Sequence, residues 1–120
     1  MERLRITPFT LGDFATNCYV VDVPPDPRCW IVDVSFGPEP LFEHVAKHAL
    51  EPEAILLTHA HVDHIVGLDA ARARWDVPVH LHEAERGFCS DPMLNLSAML
   101  CLGVSVAEPT NFLRDGDVLT

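Results

Sequence analysis

Three histidines and one aspartate stand within six positions, His59-Ala60-His61-Val62-Asp63-His64, directly after Thr58. Imidazole nitrogen and carboxylate oxygen are donors that Zn²⁺ accepts. Residues two apart in an extended segment point the same way, so His59 and His61 can reach one ion together. Asp63 continues that alternation. His64 lies beside it, where the chain turns into the next helix. Two imidazoles thus begin one metal site, and a carboxylate with an imidazole begins a second. An ion held there brings the pKa of its bound water to about 7 and polarises a carbonyl under attack. The competing reading is a surface turn decorated with polar side chains, and the density of donors argues against it.

Such a loop needs a rigid support. Ala54-Ile55-Leu56-Leu57-Thr58 is a short apolar run that predicts a buried strand, with the donors at its C-terminal end. Upstream, Leu4 to Leu11, containing Pro8, reads as an edge strand. Gly12-Asp13 is a turn signal, Asn17 to Val23 a strand, Pro24 to Pro27 a turn, and Cys29 to Val34 a short buried strand. Together these predict an antiparallel meander. Ser35-Phe36-Gly37-Pro38 opens a helix whose apolar face is Leu41, Phe42, Val45, Ala46 and Ala49, with Pro52 following its end. Beyond the loop, Ile65 to Trp75 predicts one helix despite Gly67, and Val77 to His82 a strand. A helix-like stretch begins near Glu83. Pro92 to Leu102 is compatible with a helix or a substrate-site loop. Asp115-Gly116-Asp117 is a turn, and Val118-Leu119 reads as the start of a strand.

Other polar residues have simpler explanations. His80 and His82 alternate on a strand and could bind metal, but facing solvent or a polar pocket explains them as well. His44 and His48 share a helix face beside Glu43, Lys47 and Glu51, which reads as an exposed stripe. Cys18 is expected in the core, as are Trp30 and Trp75. No sequence feature marks Cys89 or Cys101 as reactive. Asn95 and Ser97 are expected on a surface loop.

A chain of 120 residues, 48% hydrophobic and 22% charged, suits one globular domain. Eight basic residues against eighteen acidic ones give a net charge of −10. That balance disfavours nucleic acid and anionic membrane surfaces, which need clustered Lys and Arg. A small-molecule substrate remains open, even an anionic one, because a bound metal reverses the local field. No C-x-x-C pair, signal-peptide pattern or run of about 20 apolar residues occurs. A reducing cytoplasm with free thiols is the expected setting.

The string Ile55 to Leu68, containing Thr58-His59-Ala60-His61-Val62-Asp63-His64-Ile65-Val66-Gly67, resembles the T-H-x-H-x-D-H-x-x-G signature of the metallo-β-lactamase superfamily. Thr16-Asn17-Cys18-Tyr19-Val20-Val21 resembles a strand near the start of its hydroxyacylglutathione hydrolase (glyoxalase II) branch. Ile31-Val32-Asp33 resembles the strand-ending aspartate before the first helix, and Asp115-Gly116-Asp117 the turn before a later strand. The resemblance runs the whole length of the chain.

It implies an α+β fold, the N-terminal half of an αββα sandwich with a mixed sheet and flanking helices, over residues 1–120. It implies a two-zinc site, with iron or manganese as other candidates. In that site His59 and His61 bind the first ion, Asp63 and His64 the second. Asp63 also orients the attacking hydroxide, and Asp33 supports the loop from behind. The family completes its site with later residues from a T-P-G-H-T-like segment onward. This chain stops before them, so a longer protein is expected. The uncovered inner sheet face implies a partner, either the missing C-terminal segment or a second copy. The expected activity is hydrolysis of thioesters or related esters by metal-bound hydroxide. The alternatives are a mononuclear iron persulfide dioxygenase, a lactonase or a nuclease on the same fold, the last disfavoured by the acidity, and a non-catalytic fragment or interaction module.

Overall fold

The computed structural model describes residues 3–119. One six-stranded mixed sheet runs in sequence order: β1 (Arg5–Leu11), β2 (Thr16–Asp22), β3 (Arg28–Val32), β4 (Glu51–Leu56), β5 (Val79–His82) and β6 (Asn111–Leu113). The first three strands form the expected antiparallel meander, joined by tight turns. The later pairings are all parallel, because each return passes through a helix or a long connection. Among the described residues three helices interleave: α1 (Glu39–Lys47), α2 (Val62–Ile65) and α3 (Leu68–Arg74). This is an α+β architecture, the N-terminal half of the expected fold.

Strand register sorts the side chains onto two faces. Val20, Ile31, Ile55, Val79 and Leu81 share one face and are fully buried. Leu41, Phe42 and Val45 of α1 join the same core, as do Leu68 and Ala71 of α3. Burying each large aliphatic side chain contributes about 1.5–3 kcal/mol, so this layer dominates the stability. Ile6, Tyr19, Val21, Trp30, Val32 and Leu56 fall on the opposite face and are half-buried or exposed, with no layer over them. The expected core position of Trp30 is thereby corrected, whereas Trp75 does pack on the core, edge-on to Phe42 at 5.2 Å.

The structure departs from the sequence expectations at several elements. The single helix over Ile65 to Trp75 is two helices that meet around Gly67, and the first begins earlier, at Val62. A Cβ at Gly67 would lie 2.5 Å from the Ser35 carbonyl oxygen and from Val34 Cγ1, so glycine permits the close crossing. β4 starts at Glu51 and takes in Pro52, where the pairing with β3 shifts register between Cys29 and Trp30. An irregularity there accommodates a residue without an N–H donor. The stretch after Glu83 is a single 3₁₀ turn, Glu83–Glu85, and Pro92 to Leu102 is a loop of turns with one 3₁₀ turn, Ala98–Leu100. β6 was not expected. Val118 and Leu119, expected to begin a strand, lie in none. Among the described residues no helix is long and apolar enough to cross a membrane.

Candidate metal centre

The C-terminal ends of β3 and β4 lie side by side, and Asp33 closes the first of them. Its backbone adopts φ +61°, a strained value for a residue with a side chain, and its carboxylate is buried. That carboxylate organises the donor loop. Oδ1 accepts the Thr58 backbone N–H at 2.8 Å, and Oδ2 accepts the Thr58 hydroxyl at 2.7 Å. His64 Nδ1 lies 2.8 Å from the same Oδ2.

For neutral rings these bonds select one tautomer of each histidine. A carboxylate only accepts, so His64 donates through Nδ1, and in the neutral ring Nε2 then carries the lone pair. Thr58 spends its one hydroxyl proton on Asp33. Its oxygen therefore accepts at the 3.0 Å contact from His59 Nδ1, which leaves His59 Nε2 free as well. Burial, then the neighbouring His64 and His61, lowers the pKa of His59 and favours the neutral, lone-pair-bearing ring.

The structure brings all four predicted donors to one end of the sheet. Ring centroids are 4.6 Å apart for His59 and His61 and 4.0 Å for His59 and His64. Asp63 Oδ2 is 3.4 Å from His64 Nε2 and accepts the Thr16 hydroxyl at 2.6 Å. The expected extended alternation stops at His61, however. His61 is extended and precedes α2, whereas Asp63 and His64 lie in its helical turn. Val62 and Ile65, three apart and both buried, draw the chain into that turn. Among the described residues, no three His, Cys, Asp or Glu side chains already close around one point. Imidazole nitrogens and a carboxylate oxygen are donors whose chemistry fits a divalent ion.

Several supporting residues escaped the sequence reading. In the sequence Thr16 reads only as part of a strand. Glu85 accepts the Ala60 N–H at 3.0 Å, and no sequence signal marks it. Asn95 and Ser97, expected on a surface loop, are fully buried. The Asn95 side-chain NH₂ lies 3.0–3.3 Å from the carbonyl oxygens of Phe88, Cys89 and Val104, and the Asn95 backbone carbonyl accepts the Val62 N–H at 2.9 Å. Asn95 thus ties the long β5–β6 connection to the donor loop.

The remaining candidates have structural roles. His80 is buried, stacked on Trp30, with Nδ1 2.9 Å from the Asn111 amide, so of the two expected surroundings, solvent or a polar pocket, it has the second. His82 Nδ1 accepts the Ala84 N–H. His44 is half-buried against Phe9 and His48 rather than exposed. Cys18 and Cys89 are buried, with burial pushing each thiol up to about 12, far from a reactive thiolate.

Fold and loop together define an α+β protein that presents nitrogen and oxygen donors from the end of a mixed sheet. Residues 11–119 match the metallo-beta-lactamase superfamily, and the chain belongs to that family. It is 40% identical over 108 residues to a "Probable metallo-hydrolase YqgX" of Bacillus subtilis (strain 168), a match covering 89% of this chain and 50% of the relative. A shorter match, 54% identical over 41 residues, links it to a hydroxyacylglutathione hydrolase of Pectobacterium carotovorum and covers 34% of this chain and 16% of that protein. The crystal structure of BLEG-1 B3 metallo-beta-lactamase superposes with a TM-score of 0.89 at 37% identity, covering 97% of this chain and 56% of that one. TTHA1623 in a di-iron-bound form gives a TM-score of 0.75 at 30% identity, covering 94% and 56%. The chain spans about half the length of these full-length relatives.

Proposed function

We propose that this chain carries the first half of the active site of a metal-dependent hydrolase that cleaves thioesters or related esters. The observation that carries the reading is the Asp33–Thr58 network, which engages Nδ1 of both His59 and His64, so that Nε2 is the nitrogen each neutral ring offers to a metal. In this reading His59 and His61 hold one ion, and Asp63 and His64 hold a second. Zinc is the proposed metal, and iron stays in contention because a 30% identical neighbour is known in a di-iron-bound form. The bound ions would supply a water of lowered pKa and polarise the substrate carbonyl. The chain's own contribution is orientation. Thr16 donates to Asp63 Oδ2 and so fixes the plane of the carboxylate that, in this reading, holds the second ion and orients the attacking hydroxide. Asp33 acts from behind, holding ring directions that would otherwise drift. The four unpaired cysteines support our assignment to the reducing cytoplasm.

The test is metal analysis and thioester hydrolysis on the full-length protein, with His61→Ala alongside. We expect bound divalent metal in the wild type, and in the variant a loss of metal with a fall in turnover of at least about a hundredfold. Undiminished hydrolysis by metal-stripped protein would end this reading. A full-length protein that binds no metal and turns over no thioester would favour an interaction module, and iron with persulfide oxidation a dioxygenase.

A further inference from the structure

At the end of the sheet that carries the donor loop lies a cavity of about 390 Å³ that no step above uses. It is lined by Gly12, Asp13, Phe14, Phe36, Leu100 and Leu102. Three separate segments build it, and each is hydrogen-bonded to the donor loop. The β1–β2 hairpin carries Gly12 to Phe14 and leads into Thr16, whose hydroxyl reaches Asp63. Phe36 follows Asp33 and Val34, which bond to the His64 ring and to the His64 carbonyl. Leu100 and Leu102 belong to the connection that Asn95 ties to Val62.

The walls are apolar and partly open. Phe14 is 50% exposed, Leu100 46% and Leu102 47%, and Phe14 lies 5.9 Å from Phe36 in a tilted pair. A Cβ at Gly12 would come within 2.8 Å of Phe36 Cβ, so the hairpin's glycine at φ +70° lets the two walls meet. Leaving these large side chains half in water is costly unless something covers them. The volume is that of a small-molecule pocket. Asp13 is the one charged lining residue, and it repels a carboxylate.

Resting on the hydrolase reading, we infer that this cavity is the pocket for an uncharged apolar acyl or aryl group of the substrate. The carbonyl to be cleaved then lies toward Asp63, and the substrate is an ester or thioester of an apolar acid rather than one carrying a charged acyl chain.

The test uses neutral, non-hydrolysable N-alkylacetamides (methyl, butyl and hexyl) titrated into the purified full-length protein, with amide NMR shifts as the readout. Shifts should concentrate at Gly12, Phe14, Phe36, Leu100 and Leu102. Affinity should rise about fourfold per added methylene while the chain still fits. Leu102→Asp and Phe14→Ser change exposed side chains, so each should fold and lose this gain. Shifts centred on Val21 and Trp30, or affinity indifferent to chain length, would overturn the assignment. So would a concentration-dependent dimer abolished by Leu102→Asp and not displaced by the probe. Binding without any ester turnover would remove the acyl role by removing the hydrolase reading. Turnover indifferent to acyl length, without probe binding, would remove the pocket alone.

Discussion

Asp33 accepts three donors on one buried carboxylate, and each donor belongs to the loop that carries the candidate ligands. Asp33→Asn replaces one accepting oxygen with a donor and leaves at least one of these partners opposed. We expect a stability loss of about 2 kcal/mol in thermal unfolding, since bonds to a charged group contribute about 1.5–3 kcal/mol. Calorimetric titration should show divalent-metal affinity falling about 10–100-fold. Wild-type affinity in Asp33→Asn would mean that the ring directions do not depend on this network. His44 presents the opposite case. Its Nε2 is buried without a partner among the described residues, and burial, then His48, Arg5 and Lys47, lower its pKa below the ordinary 6.5 against an opposing pull from Asp22. The unfolded chain then takes up the proton first. The stability linked to His44 is therefore fully present above pH 6.5 and is lost as the pH falls through the lowered value. His44→Phe keeps the ring against Phe9 and removes the titration. Its melting temperature should fall less than that of the wild type between pH 7.5 and pH 5.

At the scale of elements, the site depends on how α2 and α3 meet the end of β3. Gly67 N–H donates to the Val34 carbonyl at 2.9 Å, and Val34 N–H donates to the His64 carbonyl at 3.1 Å. Gly67→Ala would push a methyl group into the backbone at Ser35, which has little room to move. Denaturant unfolding should show a loss of about 1–3 kcal/mol, the usual range for overpacking. A neutral outcome would show that the two helices can slide apart without cost. The Asp63–Thr16 bond should lengthen in the same variant, because α2 carries Asp63.

For the whole molecule, the decisive feature is the second face of the sheet. Ile6 is 56% exposed and Leu4 62%, and Val21, Trp30, Val32 and Leu56 are only half covered. The related proteins are about twice as long, which is consistent with further chain covering this face. The 120-residue chain by itself should self-associate in sedimentation experiments and bind an apolar dye. Its net charge of −10 opposes association, so added salt should strengthen it. Ile6→Lys with Val21→Lys should return the chain toward monomer. A chain that stays monomeric and binds no dye would show that the face is tolerable to water.

The donor loop was legible because its chemistry is local. His59, His61, Asp63 and His64 lie within six residues, and an apolar run ahead of them reads as the strand that supports them. The meander and the first helix were legible for the same reason, since alternation, turn residues and apolar spacing are short-range signals. The roles of Thr16, Glu85 and Asn95 were not, because each acts on the loop from 25 to 47 residues away or through a buried turn. β6 escaped notice because three residues that pair in parallel with β5 carry little pattern of their own. Likewise the break at Gly67 follows from an approach to Ser35 that only the folded chain creates. The sequence by itself determined which side chains can donate to a metal. Tertiary structure decided which nitrogens remain free to do so, because a tautomer is set by the partner on the far side of the ring.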